Sequence, residues 1–507
     1  MDNVLLGLQV LTHPTSFFWI LFGTAFGVLI GALPGLSATM AVALLLPFTV
    51  GLDPISAIAM LAALYCGGSY GGSITAILIN SPGTPAAAAT SLDGYPLAQK
   101  GEAGRALGIA TFSSTIGGIV SLIALLFGAP LLARLAFDFG PPEYFGLALF
   151  GLSMLASISG ASTIKNLTGG VIGLLLATVG TDFTTGVERF TFGFYELTEG
   201  INFVPVMIGL FSISELLNQC SHLKNPIVRI AADAVRLPSR ADFRKVLPSI
   251  VRGTSIGTLI GILPAEGGTV AALVAYSQER RVSKHPEEFG KGAIEGVAGP
   301  ESANNAATGG AMVPTLALGI PGSSTTAVII GALMLHGLRP GPLLFIEQPA
   351  LLYSIFFAML AANVLFLGIG LFGARIFSRV TLIPSGYLWP CVFIFSVVGA
   401  YALNQSMFDV WVMLITGLVG YLLRRWGISA APIVMGLVLG EMVESSLKQS
   451  LLIFDQNWIR FLERPIFDVF LILTTFGLFS SHIFGLLGRG FRRARDGRAE
   501  EAEGATE

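Results

Sequence analysis

The sequence contains few charged residues. Only 12% of its 507 residues are Asp, Glu, Lys or Arg, while 53% are hydrophobic, and soluble proteins carry about 25% charged residues. So little charge cannot cover a water-facing surface of this size, which excludes a large soluble enzyme. The 29 basic residues are balanced by 31 acidic ones, so the basic excess that nucleic-acid binding needs is missing. A polytopic membrane protein remains.

Cysteines and catalytic motifs are also scarce. The three cysteines, at 66, 220 and 391, are far apart, which excludes a disulfide framework or a cysteine metal cluster. The sequence has neither a G-x-x-x-x-G-K-S/T phosphate loop nor an H-E-x-x-H motif, so it lacks the usual means of ATP hydrolysis and of zinc catalysis. We predict that the chain is not an enzyme and has no cofactor. If the chain is a transporter, an ion gradient drives the transport, or the solute moves down its own concentration gradient.

Runs without charge predict the membrane segments. A bilayer core needs roughly 20 apolar residues per helix, and the longest charge-free runs are 3–52, 54–92, 106–133, 144–164, 303–338, 348–374 and 380–408. Several exceed one helix. The first contains Leu33-Pro34-Gly35, which predicts a full span followed by a broken or re-entrant segment. We predict an all-α polytopic membrane protein with roughly 12 membrane segments.

The two halves of the sequence resemble each other. Residues 27–34 (GVLIGALP) match 257–264 (GTLIGILP), and 80–84 (NSPGT) match 319–323 (GIPGS). We predict two homologous transporter repeats, with inversion as a further hypothesis. The predicted units are a first repeat, a basic linker, a second repeat, a C-terminal membrane region and a charged tail, at 1–218, 219–252, 253–446, 447–488 and 489–507. Because basic loops face the cytoplasm, the linker and the C-terminus are predicted to be cytoplasmic.

Breaks at matching positions predict the substrate site. Interrupted apolar segments in paired halves are typical of secondary transporters, because a broken helix frees N–H groups that attract a carboxylate and carbonyls that bind a cation. The alternative is that the Pro-Gly pairs are ordinary loop turns and that the nearby hydroxyls bond to their own helices. The predicted substrate-binding residues are Asn80, Ser81, Pro82, Gly83, Thr84, Pro321, Gly322, Ser323, Ser324 and Thr325.

A polar stretch before the second break predicts a cation site. Adjacent amides at the start of an apolar run are costly unless they are hydrogen-bonded or liganded. The predicted cation-binding residues are Ser302, Asn304, Asn305 and Thr326. The alternative is that Ser302 or Asn304 only caps a helix. Asp93, within Asp93-Gly94-Tyr95-Pro96, is predicted to be a turn residue at the end of a loop.

Longer motifs resemble the large membrane subunit (TctA) of tripartite tricarboxylate transporters. The resemblance runs from about residue 27 to about 445 and covers most of the chain. Its motifs are GALPG at 31–35, YGGSITAILINSPGTP at 70–85, DGYP at 93–96, KGEAGRAL at 100–107, VGTD at 179–182, RFTFG at 189–193, FGKGAIEGV at 289–297, PESANN at 300–305 and LGIPG at 318–322. Glu266, after Pro264, departs from the Gly-rich turn that this resemblance leads us to expect.

The resemblance implies a permease of the bacterial inner membrane that imports citrate-like di- and tricarboxylates by symport with Na⁺ or H⁺. It also implies two partners, a small four-helix membrane subunit and a periplasmic solute-binding protein. Two alternatives stay open. One is a stand-alone carrier of small organic anions that needs no binding protein, and the other is a membrane-embedded enzyme acting on a lipid-linked substrate.

Overall fold

The computed structural model describes residues 2–155, 162–182, 185–220, 235–264, 267–380 and 385–478. Within these ranges nearly all of the chain is helical. The only strands among the described residues are β1 (Gly180–Thr181) and β2 (Glu188–Arg189), which pair antiparallel with Gly180 opposite Arg189. This part of the chain confirms the prediction of an all-α protein. Glu266 and the predicted tail at 489–507 lie outside the described residues.

Among the described residues before 221, the chain forms ten α-helices. They are α1 (Asp2–Thr12), α2 (Pro14–Gly31), α3 (Ala38–Leu45), α4 (Pro54–Ile79), α5 (Ala87–Leu97), α6 (Ala103–Ala136), α7 (Pro141–Leu155), α8 (Thr163–Ala177), α9 (Phe203–Ile208) and α10 (Ser214–Cys220). As predicted for the first charge-free run, a long helix, α2, is followed by a break and a short helix, α3.

The described residues after 234 add ten more α-helices. They are α11 (Arg240–Ile262), α12 (Gly267–Val282), α13 (Glu295–Leu318), α14 (Ser324–Leu335), α15 (Leu344–Glu347), α16 (Pro349–Val380), α17 (Ser385–Asn404), α18 (Met407–Arg425), α19 (Ala430–Ile453) and α20 (Pro465–Leu478). Helix α11 begins at a capping box of Ser239 and Asp242 and runs across the predicted boundary at 252. The domain boundaries stay predictions.

Six helical stretches in the described ranges are long and apolar enough to cross a membrane. They are Pro14–Gly31, Pro54–Ile79, Ala87–Ala136, Pro349–Gly373, Met407–Arg425 and Ala430–Ile453. Shorter apolar helices, among them α3, α8, α14 and α20, accompany them. The chain is therefore a multi-pass membrane protein, and the count of roughly 12 segments stays a prediction.

Helices α4 and α13 form the centre of the protein. Helix α4 contacts α2, α5 and α16, and α13 contacts α6, α11 and α12. Every residue from Gly296 to Leu318 is buried, as is every residue from Ser56 to Leu78. Both helices carry small residues around their whole circumference. A helix with no side suited to solvent is buried among other helices, as α4 and α13 are here. Each central helix ends at one of the predicted breaks.

Glycines bring the neighbouring backbones into contact with both central helices. They recur at every fourth residue of α2 and of α11, at 23, 27 and 31 and at 253, 257 and 261. A Cβ atom at Gly27 would lie 2.4 Å from the carbonyl oxygen of Leu64, and one at Gly257 would lie 2.2 Å from that of Ala303. Only glycine permits such close packing. Consequently the ends of α2 and α11 lie beside α4 and α13.

The prediction for Asp93 is wrong. Its side chain is fully buried in the middle of α5, not in a turn. One carboxylate oxygen accepts hydrogen bonds from the N–H groups of Gly292 (2.7 Å) and Ala293 (2.8 Å), and the other accepts one from the hydroxyl of Tyr276 (3.0 Å). Glycine and proline within the motif favour a turn, but here tertiary contacts override that local preference. Asp93 thus fixes the loop that leads into α13.

Candidate functional site

The breaks after α4 and α13 have the same backbone geometry. Each helix ends at a residue in the left-handed region, Asn80 (φ 51°) after α4 and Gly319 (φ 71°) after α13. The next residue in each case donates a hydrogen bond six residues back, Ser81 to Thr75 O and Ile320 to Pro314 O, both at 3.4 Å. A left-handed residue commonly ends a helix, and asparagine can replace glycine there. A Pro-Gly pair then follows each cap.

The glycine of each Pro-Gly pair packs against the central helix that precedes it. A Cβ atom at Gly83 would lie 3.1 Å from the Cα atom of Gly72, and only 1.9 Å from the carbonyl oxygen of Gly31. A Cβ atom at Gly322 would lie 2.7 Å from the Cα atom of Ala311. The two breaks therefore fold back into the protein interior, and each positions the start of a following helix, α5 or α14.

Helices α2 and α11 provide a second pair of breaks. Between α2 and α3 the chain turns at residues 32–37, and Ser37 caps α3 by accepting a hydrogen bond from the N–H of Met40 (3.1 Å). Helix α11 ends at Ile262, and α12 begins at Gly267 after a short interruption. Both breaks lie next to those of the central helices because of the close glycine packing.

The N-termini of four helices, α3, α5, α12 and α14, surround one cavity of about 180 Å³. This is below the roughly 300 Å³ at which typical small-molecule sites begin, so the cavity suits a small ligand. Residues from both halves line it. From the first half these are Ser37, Ala38, Thr39, Tyr65, Ser69, Thr84, Pro85, Ala86 and Phe211, and from the second Gly268, Thr269, Asn304, Ser323, Ser324 and Thr325.

The described lining residues carry no formal charge, so the field in the cavity comes from the helix ends. Each helix N-terminus is equivalent to about half of a positive elementary charge. The first intrahelical bond of α3 is from Ala41 to Ser37 O, and that of α14 is from Ala327 to Ser323 O. The preceding N–H groups in each first turn have no intrahelical acceptor. The last of these N–H groups in each turn donates to the capping hydroxyl of Ser37 or Ser323. The earlier ones are available to a negatively charged ligand.

Hydroxyl groups join the two halves across the cavity. The hydroxyls of Thr39 and Thr325 are 2.7 Å apart, and those of Tyr65 and Ser323 are 3.2 Å apart. The buried hydroxyl oxygen of Thr84 has no hydrogen-bond partner among the described residues. An unpartnered buried hydroxyl is costly, and this one lies at the first break, against Gly72 of α4.

The predicted substrate residues divide into two groups. Thr84, Ser323, Ser324 and Thr325 line the cavity. The other six, Asn80, Ser81, Pro82, Gly83, Pro321 and Gly322, shape the breaks and are absent from the lining. The side chain of Asn80 is exposed at the helix cap.

The predicted cation residues do not form one cluster. Asn304 lines the cavity instead, and its amide donates to the carbonyl of Ser69 (2.9 Å). Ser302 donates to Gly299 O (2.9 Å) on the opposite side of α13, against α11, and Thr326 forms a capping box with Ser323 at the start of α14. Asn305 is buried, and its side-chain oxygen has no partner among the described residues.

Sequence reasoning missed several lining residues. Thr39 and Thr269 occupy matching positions in the repeat, so their alignment was a usable signal. Tyr65 lies in the middle of a long apolar run and gives no such signal, because only the packing of α4 directs its hydroxyl toward Ser323. Glu301 was also missed, although it stands in the polar stretch before Asn304.

Ser69 lies in a Gly67-Gly68-Ser69-Tyr70-Gly71 sequence that matches the nucleophile-elbow pattern of hydrolases. That motif requires a sharp turn between a strand and a helix. Here the serine lies inside α4, and its hydroxyl donates to Tyr65 O (2.9 Å). The described residues also contain no group of three or more His, Cys, Asp or Glu side chains that could hold a metal ion. The arrangement does not provide the geometry of a hydrolase.

Six candidate spans and a polar cavity between broken helices define a membrane protein built for a small solute. The chain belongs to the Tripartite tricarboxylate transporter TctA family, whose model matches residues 17–435. This confirms the resemblance seen in the motifs. Family membership makes the chain a transporter membrane subunit rather than an enzyme, and it implies the two partner subunits of a tripartite system.

Two relatives come from Agrobacterium vitis. An uncharacterised 52.8 kDa protein in the TAR-I ttuC′ 3′ region is 41% identical over 466 residues, covering 92% of this chain and 93% of the relative. An uncharacterised protein in the TAR-II ttuC′ 3′ region is 41% identical over 210 residues, covering 41% of this chain and 87% of the relative. Neither name assigns a substrate. No solved structure matches the chain.

Proposed function

We propose that this chain is the large permease subunit of a binding-protein-dependent secondary transporter. It imports a citrate-like di- or tricarboxylate by symport with Na⁺ or H⁺ across the bacterial inner membrane. The basic linker and the C-terminus face the cytoplasm. A periplasmic binding protein delivers the solute, and a small four-helix membrane subunit completes the complex.

The observation that carries this proposal is the cavity at the four helix N-termini. Together the four helix ends offer about two positive charges, which matches the charge of a dicarboxylate. Hydroxyl and amide groups at Thr84, Ser324 and Asn304 can donate to the substrate's oxygen atoms. No lining lysine or arginine among the described residues holds the anion. Such a site binds an anion and can still release it.

The matched contacts in the two halves suggest how the cavity opens. We propose that the halves are homologous, inverted repeats that move against each other around the cavity. The Thr39–Thr325 and Tyr65–Ser323 contacts then break on one side as the substrate enters or leaves. Alternating access about a fixed central site is the usual consequence of such a repeat.

Uptake into proteoliposomes tests the proposal. The chain is reconstituted with its small subunit, and labelled citrate is supplied with and without the binding protein and an inward Na⁺ or H⁺ gradient. Thr84→Val and Ser324→Ala each remove one donor to a charged ligand, which is worth about 1.5–3 kcal/mol. We expect the half-saturating concentration for uptake to rise roughly ten- to hundredfold.

Thr168→Val is the matched control, since Thr168 is exposed on α8 and its hydroxyl bonds only to Ile164 O. Its uptake should equal that of the wild type. Unchanged kinetics in both cavity variants would contradict the site. Uptake that is as fast without the binding protein would favour the second candidate, a stand-alone carrier of small organic anions.

A further inference from the structure

Glu301 is a buried carboxylate held only by neutral groups. It lies in α13 with no exposed surface. One of its oxygens accepts a hydrogen bond from the hydroxyl of Thr90 in α5 (2.5 Å), and the other accepts one from the hydroxyl of Ser114 in α6 (2.7 Å). No basic side chain acts on it among the described residues. Three helices therefore bring uncharged oxygen atoms around one carboxylate.

Three other buried carboxylates among the described residues have partners that compensate their charge. Glu279 forms an ion pair with Arg252, and Glu143 forms one with Arg464. Asp93 accepts from two backbone N–H groups. An isolated buried carboxylate is unfavourable unless something neutralises it. Asp409, which accepts only from the amide of Asn404, lies in the first turn of α18, where the helix end favours a negative charge. Glu301 is fully buried in mid-helix, and in the described part of the chain it has neither a basic partner nor such a helix end.

A further oxygen atom lies one helical turn from Glu301. The amide of Asn305 donates weakly to the backbone carbonyl of Glu301 (3.5 Å), and its side-chain oxygen has no partner in the described ranges. Carboxylate, hydroxyl and amide oxygens are the ligands that hard cations prefer. A proton would need only the carboxylate. The surplus of neutral oxygens therefore favours a metal cation.

Glu301 lies close to the anion cavity but outside its lining. Thr90 follows the lining residue Ala86 by four positions on α5, and Glu301 precedes Asn304 by three positions on α13. Both offsets are about one helical turn, roughly 5–6 Å along the axis. In the alignment of the two breaks, Glu301 corresponds to Ala62 of α4. The first half therefore has no acid at this position.

We propose that Glu301, with the hydroxyls of Thr90 and Ser114 and the amide oxygen of Asn305, binds the Na⁺ ion that is co-transported with the anion. This inference rests on the proposed transport function. An unneutralised carboxylate would repel the substrate, whereas an occupied site would not. With charges roughly 8 Å apart and an effective dielectric constant of about 20, Coulomb's law gives a coupling of about thirtyfold per substrate charge. Linkage makes the effect reciprocal, so each ligand raises the affinity for the other.

Thermal unfolding of the purified chain tests the site without any transport. The unfolding temperature is measured against NaCl at constant ionic strength, with choline chloride as the replacement and KCl in parallel. We expect Na⁺ to raise it in the wild type by mass action. Glu301→Gln keeps the shape of the side chain but lacks the charge, so its response to Na⁺ should vanish. The matched control Glu279→Gln, at an acid already paired with Arg252, should keep the response.

Two further variants keep the carboxylate and remove one oxygen ligand each. Thr90→Val and Ser114→Ala should each raise the half-saturating Na⁺ concentration roughly two- to tenfold. If Glu301→Gln does not fold, these two variants test the cation site instead, and an unchanged Na⁺ response in both would refute it. A Na⁺ response that survives in Glu301→Gln would overturn the inference. So would a wild type that responds to pH but not to Na⁺, because Glu301 would then carry a proton.

Transport separates this inference from the proposed function. In proteoliposomes, Glu301→Gln should still exchange internal for external citrate but should lose Na⁺-driven accumulation. If the wild type takes up no carboxylate yet shows a Na⁺ stabilisation that depends on Glu301, the transport proposal fails and the cation site stands. Na⁺-driven accumulation that is unchanged in Glu301→Gln would leave the transport proposal intact and refute the cation site.

Discussion

Replacing Gly83 by alanine tests how tightly the first break is packed. The added Cβ atom would lie 1.9 Å from the carbonyl oxygen of Gly31, about 1.5 Å inside the 3.4 Å of ordinary van der Waals contact. This oxygen belongs to the backbone of α2, so it cannot move aside as a side chain could by changing its rotamer. The N–H of Gly83 is also bonded to Gly72 O (3.3 Å). The break must therefore move away from α2.

We expect this movement to cost about 3 kcal/mol in stability, at the upper end of the usual range for overpacking. The equivalent change at Gly322 places the Cβ atom 2.7 Å from Ala311 Cα. That overlap is about half as large, so we expect about 1–2 kcal/mol. At Gly368 in α16, an added Cβ atom would have no described neighbour within 4 Å, and alanine there should be neutral or stabilising by up to about 1 kcal/mol.

The assay is thermal unfolding of the three purified variants in one detergent, followed by citrate binding. Unfolding temperatures should rank Gly83→Ala lowest, Gly322→Ala next and Gly368→Ala equal to or above the wild type. Because Thr84 moves with the break, Gly83→Ala should also weaken citrate binding, since displacements near 1 Å can cost about a hundredfold in site function. Equal unfolding temperatures for Gly83→Ala and Gly368→Ala would refute the packing argument.

Further predictions concern single contacts. Asp93→Asn replaces a charged acceptor that faces two N–H groups by a neutral amide. In the same unfolding assay it should lower the free energy of unfolding by about 1.5–3 kcal/mol. Tyr276→Phe removes one hydroxyl donor to Asp93 and should lower it by about 1 kcal/mol. Asn80→Gly keeps the left-handed cap, so uptake should be unchanged if Asn80 only shapes the break, and a raised half-saturating concentration would show that its side chain contacts citrate. In a double-mutant cycle, Thr39→Val and Thr325→Val should show a coupling of about 0.5–1.5 kcal/mol in unfolding, and strict additivity would mean that their hydroxyls do not interact.

Much of the fold could be predicted from the sequence because its signals are local. The lack of charge predicts a membrane protein, and the charge-free runs contain α2, α4 and α17 and most of α6, α13 and α16. The repeated Pro-Gly pairs mark the ends of α4 and α13, since proline and glycine interrupt a helix wherever they meet in this way. Asn80 and Gly319 correspond in the alignment of the two halves, and the backbone of both residues adopts the left-handed conformation.

The composition of the cavity could be predicted only in part. Thr84, Ser323, Ser324 and Thr325 stand next to a break and are found in the lining. Tyr65 reaches it through the packing of α4, which no local pattern reveals. Asp93 shows the opposite error, because Asp-Gly-x-Pro favours a turn locally while two distant N–H groups stabilise the acid inside a helix.

The scarcity of charge has a physical consequence for the proposed cycle. A lysine or arginine in the cavity would remain charged after the anion left, and an unpaired buried charge is strongly unfavourable. Helix ends avoid this cost, because their partial charges are part of the backbone and are already stabilised by the helices behind them. A neutral-walled cavity can therefore close empty, as it must to return for the next substrate. Under the cation proposal Glu301 meets the same requirement differently, because the cation that neutralises it enters and leaves together with the anion.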